Sequence, residues 1–537
     1  MRHTQPQHDR WNPWWAVALA AFLLMQSLVM ATTTAAGVPP DEWAHLSYIR
    51  DVANGGLVPD YAEGRIRETP QGNYLSHPPL YYSLLGKAAA IAGLDPMARL
   101  FPLRVASALF MVFGFWLWLR IGRALGLPLA GAVLLTIALC ATPMFSYLAG
   151  SVNNDTLLYL GFALFAAGLV REHMAHRRDL ASGMALAGGA LIVMLTKATG
   201  AAFLVLFVLV LLMAAPRELR SHLTHRRHVT VVGIVGAACL AWFGWAMIVH
   251  GGPLPRPQTL YPHNPPAEPL TLLTFALRYV ELMWDRLPMV MSSATFNPFA
   301  GKAQHAFYAM VVLPVLVWML ARPGASKRGV DPRVVRGTDA LALATLGMAV
   351  IHIAYIYNGY RSSGLLAGMQ PRYFAFLLPV IWLPAFLLER RHIQQRCFMG
   401  IFAALAMVAF WTSVPHTVAG QARAVERARP VPPAAGLHGS LDEIRLEGRT
   451  LHLRGWAFDA DAGAPAAVEV QVDGATYTVD TGVTRRDVAR ALGHDSAQNS
   501  GFDATIDVAD ADGRECAIGI TATAHDGRIL RLRKATC

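Results

Sequence analysis

Charge is what this chain has least of. Asp, Glu, Lys and Arg make up 15% of its 537 residues, against about 25% in soluble proteins. Hydrophobic residues make up 54% and the mean hydropathy is +0.37. A soluble particle could not hide that much apolar surface, which excludes a soluble cytosolic enzyme and a disordered chain. Cysteine is also scarce. Five residues cannot build a disulfide framework, so a secreted disulfide scaffold is excluded. Cys140 and Cys239 fall inside apolar runs, whereas Cys516 and Cys537 flank an expected C-terminal hairpin and are placed to pair in an oxidising compartment. Ionisable residues are nearly missing from the middle of the apolar runs, where a transporter usually keeps them. No internal repeat points to a solenoid.

What is present is a series of about eleven apolar runs long enough to span a bilayer. They cover 14–34, 103–119, 127–147, 155–170, 181–196, 199–214, 229–249, 305–321, 338–357, 372–388 and 397–416. The formal net charge of +11 does not indicate a nucleic-acid partner, because the basic residues cluster in short links between the runs. Arg120 and Arg123, Arg171 to Arg178, Arg217 to Arg227, Arg322 to Arg336, and Arg390 to Arg396 all fall in alternate links. The positive-inside rule then makes the N-terminus cytoplasmic. An odd number of spans puts the C-terminal region outside, together with two long segments at 37–102 and 250–304. Within the first, 41–54 and 77–94 have helical patterning and are expected to lie on the outer membrane face as amphipathic helices.

The expected fold is a polytopic α-helical membrane domain (1–416), a Pro-rich linker (417–436) and an all-β sandwich (437–537). Val468, Val470 and Val472 alternate with polar residues and lead into Asp473-Gly474, a hairpin turn, with Tyr477 and Val479 beyond it. Ile518 and Ile520, then Leu530 and Leu532, repeat the pattern around Asp526-Gly527.

Five groups of polar residues collect on the expected outer face. Asp41, Glu42 and His45 lie in PPDEWAH, where positions three and four apart share one side of a helix. His77 opens HPPLYY, whose tyrosines suit a membrane-interface belt. Asn153, Asn154 and Asp155 form a tight turn before the fourth run. Lys197 stands alone in TKATG, on the side that lacks basic residues, and a lone cation there suits an anionic partner. Gln370, Arg372 and Tyr373 form QPRY at the start of a late run, where a guanidinium can grip two phosphate oxygens at once. Each group has an ordinary explanation as a cap, turn or headgroup anchor. Together they describe a site for an anionic group carried on a lipid. Glu42, His45 and His77 are candidates for a divalent metal, although nothing in the sequence demands one.

This set of motifs resembles the GT-C superfamily of membrane glycosyltransferases, the class containing protein O-mannosyltransferases and the aminoarabinose transferase of lipid A. DExxH (Asp41-Glu42…His45) with QxRY (Gln370…Arg372-Tyr373) is most similar to uncharacterised bacterial members. The likeness covers about residues 10–416. It implies a sugar donor on a polyprenyl phosphate, an extracytoplasmic glycan, lipid or protein acceptor, and inverting chemistry at the outer leaflet of a bacterial inner membrane. Asp41 would be the catalytic base, with Glu42 beside it. His45, His77, Asn154, Asp155, Lys197, Gln370, Arg372 and Tyr373 would bind substrate. Trp43-Ala44-His45 departs from the mannosyltransferases, so the sugar does not carry over. The C-terminal stretch with Trp456, Asp459, Arg486, Asp487, Gly501 and Phe502 resembles a β-sandwich module of bacterial surface and carbohydrate-linked proteins, and Trp456 and Phe502 are expected to pack inside it.

Three other readings fit less of the pattern. A lipid-linked sugar flippase lacks its midplane charges. A polysaccharide polymerase or ligase using a diphosphate-linked donor usually has a large outer loop rich in Arg and His, and Arg256, His263, Arg278 and Arg286 of the second outer segment keep that alternative open. A membrane anchor for the β domain leaves the outer polar residues without a role.

Overall fold

The structure, a computed structural model, describes residues 13–34, 36, 41–55, 77–174, 180–214, 226–250, 266, 268–292, 303–324, 331–364, 370–388, 396–408, 436–447, 450–472, 475–507, 517–526 and 529–536. The chain divides into two compact units, Met1–Val425 and Glu426–Cys537.

The first unit is helical. Its elements are α1 (Pro13–Thr33), α2 (Glu42–Ala53), α3 (Leu80–Ile91), α4 (Leu100–Ala124), α5 (Leu129–Ala141), α6 (Pro143–Ala149), α7 (Asp155–Met174), α8 (Leu180–Thr196) and α9 (Ala198–Ala214). They continue with α10 (Arg226–His250), α11 (Leu272–Ser292), α12 (Ala303–Ala321) and α13 (Pro332–Ser363). A 3-10 segment, Pro371–Leu377, leads into α14 (Leu378–Leu388), and α15 is Arg396–Val408. Each expected apolar run is represented by helix. Leu100–Ala124, Val229–Val249 and Pro332–Ser362 are long and apolar enough to cross a membrane on length and composition. The third run is broken, because Thr142 is extended and Pro143 starts a new helix.

One side of α2 and of α3 packs into the protein. Leu46, Tyr48, Ile49 and Val52 of α2 and Tyr81 and Tyr82 of α3 are completely buried in the main hydrophobic core. Their apolar positions are therefore core contacts, and the two tyrosines are not an interface belt. The segment 250–304 is not merely a loop, since it contains the 21-residue α11. Its Tyr279 and Phe275 pack with Ile356 and Tyr360 of α13. Arg256 and His263 lie outside the described residues, as does most of the linker.

The helices α7 and α8 approach unusually closely, as small residues permit in membrane bundles. A Cβ on Gly189 would lie 2.7 Å from the carbonyl oxygen of Gly161 and equally near Cα of Phe165. The contact is backbone against backbone, so no side-chain movement could relieve it.

The second unit is a pair of antiparallel sheets. One holds β1 (Leu437–Glu447), β2 (Thr450–Asp459), β3 (Ala464–Pro465) and β6 (Gly501–Asp507). The other has the order β5 (Ala475–Val479), β4 (Ala467–Val472), β7 (Ala517–Thr523) and β8 (Ile529–Thr536). Leu451 and Leu453 from one sheet meet Val468, Val470 and Ile520 from the other in a shared core. The alternation read from Val468 to Val472 thus marks the inward face of β4. Phe502 is fully buried, whereas Trp456 is only half-buried, beside Phe458 and a short helix α16 (Arg486–Leu492). The pairing expected of Cys516 and Cys537 lies outside the described residues.

Gly189→Val is expected to lower the melting temperature of the purified protein, or its folded yield, through the backbone clash between α7 and α8. Gly188→Val, where a Cβ meets nothing within 4 Å, should be close to wild type. Equal behaviour of the two variants in a thermal-shift measurement would contradict the close approach.

Candidate functional site

Neighbouring acids at the start of α2 point to different partners. Glu42 is completely buried. Arg104 donates to its two carboxylate oxygens, Nε to Oε1 at 2.9 Å and Nη2 to Oε2 at 2.7 Å, and the backbone N–H of Val152 donates to Oε1 at 2.9 Å. The remaining nitrogen of Arg104 donates to the carbonyls of Ala31 and Thr34, at 2.8 and 2.6 Å. Contrary to the expected catalytic pair, Glu42 joins the end of α1 to α2, α4 and the turn before α7. Arg104 belongs to none of the motifs. Its signal in the sequence is a lone charge inside an apolar run.

Asp41 occupies the N-cap position of α2 but makes no capping bond from its side chain. Its φ of 68° is the only positive value at a non-glycine among the described residues. Such backbone costs energy and persists only where the surroundings enforce it. The carboxylate accepts a hydrogen bond from Nη2 of Arg372 across 331 residues of sequence. Its side chain stays 26% exposed while that of Arg372 is 4% exposed, so the acid is the accessible member of the pair. Arg372 is delivered by the 3-10 segment, which Pro371 starts after an extended Gln370. Gln370 contributes its carbonyl oxygen to the N–H of Tyr373, 3.1 Å away, and its side chain makes no capping bond.

Lys197 lies in the turn between α8 and α9 and donates to Oδ1 of Asp155 at 2.5 Å. Asn153 Oδ1 in turn accepts from the Asp155 N–H at 2.9 Å, which fixes the turn at the start of α7. Lys197 and Arg372 both lie against the ring of Tyr373, at 5.1 and 5.5 Å from its centroid. Burial pulls the Lys197 ammonium below its usual range, and Asp155 opposes that shift.

A second chain of contacts runs beside these charges. His45 Nδ1 and the Tyr82 hydroxyl are 2.9 Å apart, and Asn154 Nδ2 donates to that hydroxyl at 3.2 Å. Asn154 also donates to the Thr196 carbonyl at 3.3 Å. The rings of His45 and His77 stack at 6.3 Å. The fold therefore brings Asp41, His45, His77, Asn154, Asp155, Lys197, Arg372 and Tyr373 into one neighbourhood and turns Glu42 away from it. Among the described residues no group of three His, Cys, Asp or Glu side chains gathers as a possible metal site.

Several buried polar atoms in this neighbourhood lack a hydrogen-bond partner among the described residues. They are Nε and Nη1 of Arg372, Oδ2 of Asp155 and Oδ1 of Asn154. Buried polar groups are normally paired, so the cluster has spare capacity for an anion and for hydroxyl groups. One further contributor is His352 of α13, whose Nδ1 is 2.6 Å from the Tyr279 hydroxyl and whose ring packs against Tyr373. It belongs to no motif and is brought in by tertiary packing alone.

The profile of a family described as Predicted membrane protein (DUF2142) matches residues 60–383. The chain belongs to the DUF2142 family. As a DUF2142 member it is a multi-pass membrane protein, in keeping with its helices. Among solved structures it is similar to ArnT from Cupriavidus metallidurans bound to undecaprenyl phosphate, with 17% identity and a TM-score of 0.38 over 78% of this chain and 80% of that one. The apo state of the same ArnT gives 16% identity and a TM-score of 0.36 over 78% and 81%. No curated protein matches the chain.

The histidines give the site a pH signature. Burial lowers His45 from its usual 6.5 to about 3, with Asp41 acting in the opposite direction, and burial also lowers His77. The unfolded chain takes up a proton near pH 6.5 that folded His45 refuses until about pH 3. His45 therefore makes the protein less stable as pH falls through that window and has no effect above it. Thermal melts in detergent across the window should show a shallower acid slope for His45→Gln than for wild type. An unchanged slope would assign the acid sensitivity to other groups.

Proposed function

We propose that this DUF2142 protein is a membrane glycosyltransferase that moves a sugar from a polyprenyl-phosphate donor to a hydroxyl of an extracytoplasmic acceptor. The observation that carries the reading is the guanidinium of Arg372. It is buried, spends one nitrogen on Asp41, and keeps Nε and Nη1 unpartnered among the described residues, next to Lys197. A buried cation with two spare in-plane donors suits the oxygens of a phosphate monoanion or dianion. A partly exposed carboxylate lies directly beside it. The motif set DExxH and QxRY, similar to GT-C enzymes, supports the same reading.

In this mechanism the acceptor hydroxyl binds against Asp41. Its oxygen attacks the anomeric carbon as the bond from that carbon to the phosphate oxygen breaks, which inverts the configuration. A carboxylate is too weak a base to deprotonate an alcohol outright, so Asp41 takes the proton late, when the sugar has oxocarbenium character. The departing polyprenyl phosphate gains charge, which Arg372 and Lys197 stabilise. Donor phosphate on Arg372 also competes for the guanidinium that holds Asp41, which loosens the ion pair as the site fills. Asn154 and Asp155 offer spare acceptor oxygens for sugar hydroxyls. His45, neutral in this reading, and Tyr82 support Asn154 from behind. The site faces the extracytoplasmic side, with the N-terminus cytoplasmic and the β unit outside in a bacterial inner membrane.

The test is transfer of radiolabelled sugar from a panel of polyprenyl-phosphate donors in purified membranes. Asp41→Asn should reduce transfer by about 10²-fold or more, as loss of a general base does, with insertion and expression unchanged. Retained activity within a few-fold would place the base elsewhere. Arg372→Lys should also slow turnover, because an ammonium keeps the charge but not the planar pair of donors. Full activity of that variant would reduce Arg372 to a point charge.

A further inference from the structure

The helix α11 (Leu272–Ser292) has three unlike faces. One packs inward, with Phe275 and Tyr279 buried against Ile356 and Tyr360 of α13. A second carries Leu273, Leu277, Val280 and Trp284, which recur at intervals of four, three and four and so form one stripe. These four side chains are 70%, 65%, 60% and 48% exposed. The third face is charged. Arg278 and Glu281 form an exposed ion pair at 2.6 Å, and Asp285 follows one turn further on. With these charges and Arg286 inside it, α11 is too polar to cross a membrane lengthwise.

Two neighbouring helices fix the level at which α11 lies. From Ala340 to Tyr360, α13 carries no Asp, Glu, Lys or Arg, and Asp339 and Arg361 bound that stretch. Its length is what a hydrocarbon core of ~30 Å requires, about 20 residues. The contact with α11 at Ile356 and Tyr360 falls in the last turns before Arg361. Leu346 and Val350, further back along α13, are largely exposed, as lipid-facing residues are. Independently, Tyr308 near the start of α12 donates its hydroxyl to the Trp284 carbonyl at 3.1 Å, and the two rings stack at 4.5 Å. That end of α12 is the one remote from Arg322. Both neighbours therefore put α11 at the membrane boundary opposite the basic link from Arg322 to Arg336, a level that Trp and Tyr favour.

We propose that α11 is an interfacial helix, whose stripe from Leu273 to Trp284 beds in the edge of the hydrocarbon at the bilayer surface opposite the basic links. Arg278 and Glu281 lie about a quarter turn from the stripe and reach the headgroup layer. A lipid surface fits this face better than a protein partner does. The stripe ends in an aromatic pair, is flanked by charge, and adjoins a level of α13 where Tyr355 is exposed too. The helix also reaches the polar cluster. The Tyr279 hydroxyl is 2.6 Å from His352 Nδ1, and the His352 ring packs on Tyr373. Bedding α11 thus sets the height of Tyr373 and its two cations against the lipid headgroups. The seating is independent of sugar transfer.

The test uses the full chain in nanodiscs of dioleoyl phosphatidylcholine, in a Cys397→Ser, Cys516→Ser, Cys537→Ser background, with a nitroxide on one introduced cysteine. The buried Cys140 and Cys239 stay in place. Electron paramagnetic resonance compares collisions with oxygen, which concentrates in hydrocarbon, and with a water-soluble nickel complex. At Leu277→Cys and Val280→Cys the oxygen-to-nickel ratio should exceed that at Glu281→Cys by about fivefold or more. It should stay below the ratio at Leu346→Cys, midway along α13. Equal ratios at Leu277→Cys and Glu281→Cys would overturn the seating, because both faces would then meet water. A ratio as high as at Leu346→Cys would place α11 in the hydrocarbon core and overturn the interfacial level. Exclusion of both reagents from Leu277→Cys would also overturn it and show a protein cover, either a second copy or another segment of this chain. All four labelled positions are exposed, so the melting temperature should match that of the parent protein. Absence of sugar transfer in the same preparation would count against the proposed function and leave these ratios unaffected.

Discussion

Glu42 and Arg104 form a bidentate pair that excludes water and uses nearly every donor and acceptor the two side chains possess. A buried pair of this kind is weak evidence for net stability, but removing one partner typically costs about 3–5 kcal/mol, because a charge is left uncompensated. Its structural consequence here is positional. Through Arg104 it ties the carbonyls at the end of α1 to the first turn of α2, and through Val152 it holds the turn that leads to Asp155. The elements that carry Asp41 and Asp155 are therefore anchored to a common point.

That anchoring explains why adjacent acids have unlike roles. One turn of backbone cannot aim Asp41 and Glu42 in the same direction. With Glu42 drawn inward to Arg104, Asp41 must face the opposite way, and it does so with a left-handed φ that an aspartate tolerates better than most residues. The strain falls on the residue that meets Arg372. Opposite it, Tyr373 lies under both Lys197 and Arg372, so two cations that would repel are held together by an aromatic face and two carboxylates. Burial keeps His45 neutral beside them, which leaves Lys197 and Arg372 facing Asp41 and Asp155 among the described residues.

The polar cluster has charges in pairs and spare hydrogen-bonding atoms. Beneath it, an apolar cavity of about 780 Å³ is lined along the same helix from Phe162 to Glu172. Close contact of α7 and α8 through glycine backbones supports both, since α7 carries Asp155 at its start and lines the cavity farther along.

Much of this was legible in the sequence because it rests on local chemistry. Hydropathy alone locates the spanning runs, since hydrocarbon accepts only a continuous apolar surface. Alternation at Val468, Val470 and Val472 marks a strand because side chains in a strand point to opposite faces in turn. The grouping of Asp41, Asn154, Lys197 and Arg372 on one side follows from the alternation of basic links. Tertiary structure alone decided the rest. Whether Glu42 or Asp41 is the accessible acid depends on Arg104, 62 residues away, and nothing in the DEWAH segment encodes that choice. The burial of α2 and α3 was likewise hidden, because an amphipathic pattern looks the same whether its apolar face meets lipid or protein. His352, Tyr279 and the cavity walls come from helices distant in sequence, and proximity of that kind exists only after packing.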